Sequence, residues 1–398
     1  CLAVIRLRSG WQVFMQRHER DEMAGPLAGV KIVEMNAIGP APFAVMMLAD
    51  MGADVIRVDR QVANFLNADG SLLGRGRRSI AIDPRKPGAT EVLLKLIDDA
   101  DVLVEGFRPG VMERLGLGPD LCLQRNPKLV YGRMTGWGQT GPLAQAAGHD
   151  LNYISLSGAL YAMGYADRAP TPPLHLVGDM GGGAMLLVAG VLAALLEVRK
   201  SGKGQVVDAA ICDGTALLSS MYYDLRQQGS WSDGRQQNIL DGGAPFYGCY
   251  TCADGKFISI GSIEPQFYRL LLELCGIEHS AFEDQWARQE WPTLRGMLEE
   301  MFLTRSRDEW TRLLEGSDAC FAPVLTFDEA PGHAHNKARG VFIDSGGVLH
   351  PAPAPRLSRT PLRAGEVVEN GVHTLEVLRE LGLGEADIAE LRAKGAIA

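Results

Sequence analysis

The stretch GVKIVEMNAIGPAPFAVMMLADMGADVIRVD (29–59) decides the fold class. VKIVEM (30–35) is an apolar run of strand length with β-branched residues. Gly39-Pro40 then turns the chain, and proline suits the first position of a helix. Ala41–Ala53 is apolar enough to be a buried helix, and DVIRVD (54–59) reads as the next strand. Strand, helix, strand over about 30 residues is the parallel βαβ unit. No GxGxxG follows the first strand and no GxxxxGK[ST] occurs anywhere. The usual dinucleotide and P-loop sites are therefore not the reading of this sheet.

The alternation continues outward. GATEVLLKLIDDA (88–100) is helical, and DVLVEGF (101–107), KLVYGRMTG (128–136) and GQVVDAAI (204–211) are strands. DGTALLSSMYYDLRQQ (213–228) is a further helix. Alternating strands and helices predict a parallel sheet covered on both faces. After Gly229 the pattern changes. GSWSDGRQQN reads as a linker, and FYGCYTCADGKFISIG reads as a hairpin around Asp254-Gly255. PQFYRLLLELCG (265–276) and SRDEWTRLLEG (306–316) are helical, the second opening with the Ser306/Glu309 capping-box spacing. PAPAPRLSRTP (351–361) holds no regular element, and a last helical stretch covers 374–394. We expect 23–234 to be the first part of a large α/β domain, 235–340 a smaller α+β domain, and 341–398 a return to the large one. Residues 1–22 begin with Cys1, carry four arginines and read as an extension foreign to the fold.

Composition narrows the class. Of 398 residues 46% are apolar and 22% charged, and the formal net charge is −9. That is an ordinary soluble globular protein and not a generic nucleic-acid binder. The longest uncharged run, MGGGAMLLVAGVLAALL (180–196), is bracketed by Asp179 and Glu197 and is shorter than the ~20 residues of a bilayer span. Seven cysteines in so long a chain imply a reducing compartment, hence a cytoplasmic setting. Cys249 and Cys252 form a CxxC without a second pair or histidine at metal spacing, so no metal site is expected. The C-terminal KGAIA is not a peroxisomal address.

Two polar sites at the mouths of apolar runs are candidates for chemistry. His149-Asp150 precedes one, and Asp179 in LVGD precedes three glycines and the uncharged 180–196 run. Asp and His are ordinary helix-start residues, and a lone His there is more often structural. Paired, a base and an acid can take a proton from one face of a carbon and return it to the other. The 180–196 helix is expected to be core on every side, with glycines that admit a backbone or ligand. Its N-terminus favours a carboxylate by about 0.3–1 kcal/mol, which predicts Asp179 ionised at rest.

Basic residues crowd together as well. Arg57, Arg60, Arg75, Arg77, Arg78, Arg85 and Lys86 fall close in sequence, and Arg108 and Arg114 lie in GFRPGVMERLG (106–116). GRGRRSI (74–80) reads as a loop. A charge run is usually a solvated face. On the loops of a parallel sheet, however, arginines suit a phosphate ligand.

Eight segments occur in order: PLAGVKIVEM, ADMGADVIRVDR, VEGFRPGVMERLGLG, RMTGWGQTGP, GHDLNYISLSG, PPLHLVGDMGGG, GKGQVVDAAICDG and SDACFAPVL. Together they resemble the family III CoA-transferase (CaiB/BaiF) superfamily and, within it, the α-methylacyl-CoA racemase branch, from about Met23 to Arg359. The resemblance implies a Rossmann-like large domain built from both chain ends, a small domain between them, and an interlocked homodimer. It implies an acyl-CoA substrate, with His149 and Asp179 as the two bases, Glu264 supporting the histidine, and Asp150 beside the thioester. CoA contacts would come from Arg60, Arg108 and Arg114, with Arg75 and Arg78 nearby, together with Glu105 and Gly148. Close relatives have DLK where this chain has DPRK, which shifts a basic contact to Arg85 or Lys86.

The expected activity is therefore interconversion of (2R)- and (2S)-2-methylacyl-CoA by α-proton removal and return through an enolate. No cofactor is expected, since CoA is part of the substrate. The amides near Asp150 and the glycine-rich backbone at Asp179 are candidate donors to the enolate oxygen. The rival is CoA transfer between carboxylic acids, with Asp179 as nucleophile. His149 separates the two, because the transferase chemistry does not need it. A non-catalytic CoA-binding module would need neither residue. The acyl chain is not readable from the sequence.

Overall fold

The computed structural model describes residues 25–59, 71–345 and 347–397. Six strands form one parallel sheet: β1 (Lys31–Met35), β2 (Asp54–Asp59), β3 (Arg77–Ala81), β4 (Val102–Glu105), β5 (Val130–Thr135) and β6 (Gln205–Ala210). Their order is β3-β2-β1-β4-β5-β6, every pairing parallel. This order reverses direction between β1 and β4, and ligands of such sheets bind at that crevice, beyond the strands' carboxyl ends.

Neighbouring residues on each strand face opposite layers, as the two-residue period requires. Val33, Leu103 and Tyr131 join one core with helix α2 (Ala89–Asp98) and the C-terminal helices Thr374–Glu380 and Glu385–Ala393. Ile32, Val102, Val104 and Val130 join the other, with helix α1 (Pro40–Asp50) and the long helix α4 (Leu176–Ser201) that precedes β6. Continuous apolar strands are what a sheet buried on both faces demands.

Three expectations need correction. GRGRRSI is not a loop: Arg77–Ala81 is β3, an edge strand whose fully buried Arg77 pairs with Glu34 of β1. The 213–228 segment is two helices, α5 (Ile211–Leu218) and Ser220–Gln227. The 180–196 run is not core on every side. It lies in a 26-residue helix, Leu176–Ser201, by length and composition apolar enough to cross a membrane. One face buries Leu187, Val188, Val191 and Ala194 against the sheet. The other leaves Met185 45% and Leu196 58% exposed.

By compactness the chain forms two units. The first takes the described residues up to Ser157, His175–Leu218, and those from Phe342 onward. The second takes Gly158–Leu174 and Ser219–Val341. The sequence alone predicts the smaller part over 235–340, without Gly158–Leu174. The second unit holds an antiparallel sheet of β7 (Tyr247–Thr251), β8 (Phe257–Gly261) and β9 (Phe321–Val324). Its core is aromatic: Phe246, Trp291, Phe302 and Trp310. The capping box at Ser306 forms, with the Ser306 N–H donating to Glu309 Oε2 at 2.8 Å. The described cysteines are free, and no metal-ligating cluster occurs among the described residues. The 1–22 extension lies outside the described residues.

Candidate active site

A cavity of about 400 Å³ opens beyond the carboxyl ends of β4 and β5. Phe107, Arg108, Trp137, Gly148, His149 and Tyr153 are among its lining residues. His149 caps helix α3 (Asp150–Leu156) and is exposed. Its backbone N–H donates to Asn152 Oδ1 at 3.0 Å, which holds the cap, and His149 lines the cavity. Trp137 stands edge-on to Tyr153, ring centres 4.8 Å apart, and the Tyr153 hydroxyl donates to the Gly148 carbonyl.

Asp179 lies nearby, in a wide-turned π segment (Leu176–Met185) that opens the long helix. Such segments are rare and often mark functional sites. Gly182 is explained by packing against backbone. A Cβ at Gly182 would fall 2.7 Å from the Thr215 nitrogen, and one at Gly214 would fall 1.8 Å from the Gly182 carbonyl oxygen. The Asp179 carboxylate approaches Gly39, ahead of α1, where a Cβ would come within 3.2 Å of Oδ2. Asp179 therefore stands after β1 while Arg108 stands after β4, on either side of the point where strand order reverses.

The helix terminus alone would favour the Asp179 carboxylate, but the net shift runs the other way, although the group stays mostly ionised at neutral pH. Burial, followed by the charge of Asp150, pushes its carboxyl up to about 6, against smaller opposing effects of His175 and His149. Desolvation outweighs the helix terminus here. The Asp179 amide is also not free for an enolate. It donates to Asp150 Oδ1 at 2.7 Å.

The remaining expected ligand residues divide. Arg108 and Gly148 line the cavity. Arg114 is exposed at the end of the short helix Val111–Arg114. Arg60 lies outside the described residues. Arg75 is only 4% exposed. It forks onto Asp50 at 3.0 and 2.5 Å and donates to His350 and the Pro351 carbonyl. Arg78 leans toward the starting ends of the strands and pairs with Asp54 and Glu380. Glu105 is fully buried, pairs with Arg133 at 2.8 Å, and accepts the Phe107 N–H at 2.7 Å. Burial pushes its carboxyl up to about 7. By accepting the Phe107 N–H it holds the Phe107–Arg108 turn. Arg57 is tied to Asp59 and Asn370, and Arg85 to Asp83. Much of the arginine cluster is thus internal ion pairing. Glu264 belongs to the second unit, where it is exposed and caps the helix Pro265–Cys275.

Sequence reasoning missed Trp137, Tyr153 and Gly39 as site residues. Gly39-Pro40 was legible as a turn, but nothing local says that a carboxylate 140 positions on will meet it.

The sequence pattern of CoA-transferase family III matches residues 27–367. The chain belongs to this family. The α-methylacyl-CoA racemase of Mus musculus is 46% identical over 371 residues, covering 92% of this chain and 96% of the relative. That of Homo sapiens is 42% identical over 370 residues, with the same coverage. A succinyl-CoA–D-citramalate CoA-transferase of Chloroflexus aurantiacus is 31% identical over 400 residues, covering 94% of this chain and 98% of the relative. Among solved structures, a CaiB/BaiF family protein from Brucella suis superposes with TM-score 0.76 at 27% identity, covering 90% of this family III chain and all of the other.

Proposed function

We propose that this family III chain is an α-methylacyl-CoA racemase, interconverting (2R)- and (2S)-2-methylacyl-CoA thioesters by proton transfer at the α-carbon. The likeness to the two mammalian racemases over nearly their full length supports it. The arrangement that carries the mechanism is His149 on the cavity with the half-buried Asp179 nearby in the π segment, its carboxyl pushed up to about 6 by burial. A group titrating close to neutrality serves as proton donor in one direction and acceptor in the other. His149 takes the α-proton from one face of the thioester while protonated Asp179 gives one to the other. The thioester carbonyl delocalises the intermediate charge onto oxygen. With the Asp179 amide engaged by Asp150, the amide of Asp150 at the start of α3 is the candidate donor to that oxygen. The reaction needs no cofactor.

Arg108, with Arg60 and Arg114, is our choice for the CoA phosphates. The first unit serves as the CoA-binding domain. The exposed apolar side chains Met185, Leu196, Leu217 and Leu218 support a homodimer. Glu264 of one chain then supports His149 of the other. Co-expressed His149→Ala and Glu264→Ala chains should form mixed dimers that regain about half the wild-type activity at one intact site. Mixed dimers no better than the mutant homodimers would remove Glu264 from that role. The setting is lipid metabolism in the cytoplasm.

The test of the reaction is exchange. In deuterated water the protein should place deuterium at the α-carbon of either enantiomer with no second carboxylic acid present. CoA transfer to an added acid without such exchange would replace the racemase with a transferase using Asp179 as nucleophile.

A further inference from the structure

Asp150 follows the proposed base directly in sequence, yet its carboxylate points away from a ligand role. It is 8% exposed, and its Oδ1 accepts the Asp179 N–H at 2.7 Å. The chain is shaped to allow this contact. A Cβ at Gly178 would fall 2.3 Å from Asp150 Oδ1 and 2.7 Å from Ile154 Cγ2, so only glycine lets the π segment come this close to α3. A buried carboxylate placed one hydrogen bond from the backbone of a second half-buried carboxylate makes that second group harder to ionise.

We propose that Asp150 is a positioning residue for Asp179: it anchors the Asp179 backbone against α3 and keeps a second negative charge beside the Asp179 carboxyl. This deepens the racemase reading of the same site. The neighbouring charge favours the protonated Asp179 that one direction of proton transfer requires. Among the described residues, other groups face Asp179 as well. His149 at the cap of α3 and His175 just before the π segment favour its ionised form. Tyr153 of α3, its own hydroxyl pushed up chiefly by burial and then by Asp179, stays neutral. The facing end of α1 presents only Gly39 and Pro40, and on α5 Cys212 is pushed up to about 11 by burial and Asp213.

Asp150→Asn separates charge from anchoring, because the amide oxygen still accepts the Asp179 N–H. Asp150→Ala removes both. Asp179 ionisation is read without turnover, from the pH at which carbodiimide labelling of its peptide is half lost by mass spectrometry. In Asp150→Asn this midpoint should fall by about 1 pH unit, and the matching limb of the kcat profile for α-proton exchange should move with it. The KM for the CoA thioester should stay within about twofold. Asp150→Ala should lose about 10-fold or more in kcat, since the carboxyl is no longer held in place. A labelling midpoint and pH profile in Asp150→Asn that superimpose on wild type overturn the proposal. A midpoint that falls in a protein whose wild type exchanges no α-proton supports the coupling and removes the racemase reading alone.

Discussion

Replacing Asp179 by asparagine should abolish α-proton exchange and at the same time make the protein more stable. The structure supplies the magnitude. The carboxyl moves from its ordinary 3.8 to about 6 because burial and the Asp150 charge disfavour its ionised form. At about 1.4 kcal/mol per pH unit, this is a ceiling of about 3 kcal/mol of destabilisation when the group is charged. Asp179 is only half-buried, so solvent screening brings the expected value to about 1–2 kcal/mol. The sign follows from linkage. A carboxyl whose folded value is raised binds its proton more tightly when folded, so its penalty is absent below 3.8, grows with pH, and is complete above about 6. Urea unfolding of wild type and Asp179→Asn at about pH 8 should therefore show the variant ahead by ~1–2 kcal/mol, the gap closing as pH falls toward about 4. A variant equal to or weaker than wild type at the higher pH, or a gap that ignores pH, would refute the account of Asp179 as a group held against its ordinary ionisation.

Two further predictions separate scaffold from ligand contact. Arg75→Gln breaks a buried fork onto Asp50 and should cost about 3–5 kcal/mol in urea unfolding, leaving the KM of the folded fraction unchanged. Arg108→Ala should leave stability within about 0.5 kcal/mol and raise KM more than it lowers kcat. The opposite pattern would exchange their roles. Gly182→Ala drives a Cβ to 2.5 Å from Thr215 Oγ1 and should destabilise the π segment by about 1–3 kcal/mol, measured the same way. Wild-type stability there would mean that the packing of α5 on this segment is looser than described.

Much of this molecule was legible from local pattern. The βαβ repeat, the Asp254-Gly255 hairpin and the Ser306 capping box each depend on residues close in sequence, so β1, β2, β4, β5 and β6 and the second unit's hairpin lie where periodicity puts them. The strand β3 was not legible, since Arg77 reads as surface until Glu34, 43 positions earlier, is brought beside it in the core. The glycines after Asp179 announced a close approach, but not that Thr215 and Gly214 make it.

The site divides in the same way. His149, Asp150 and Asp179 stood out by residue type and by their place at the mouths of apolar runs, and the order of eight segments carried the family. Their chemistry was decided only by the fold. Whether an arginine is free for a phosphate depends on which carboxylate it meets: Arg75 meets Asp50, while Arg108 meets no carboxylate among the described residues and lines the cavity. Whether Asp179 rests ionised depends on how much water and how much like charge surround it. A chain written in one dimension specifies which groups can ionise. Desolvation and through-space charge, which set where they do, exist only once distant segments are packed together.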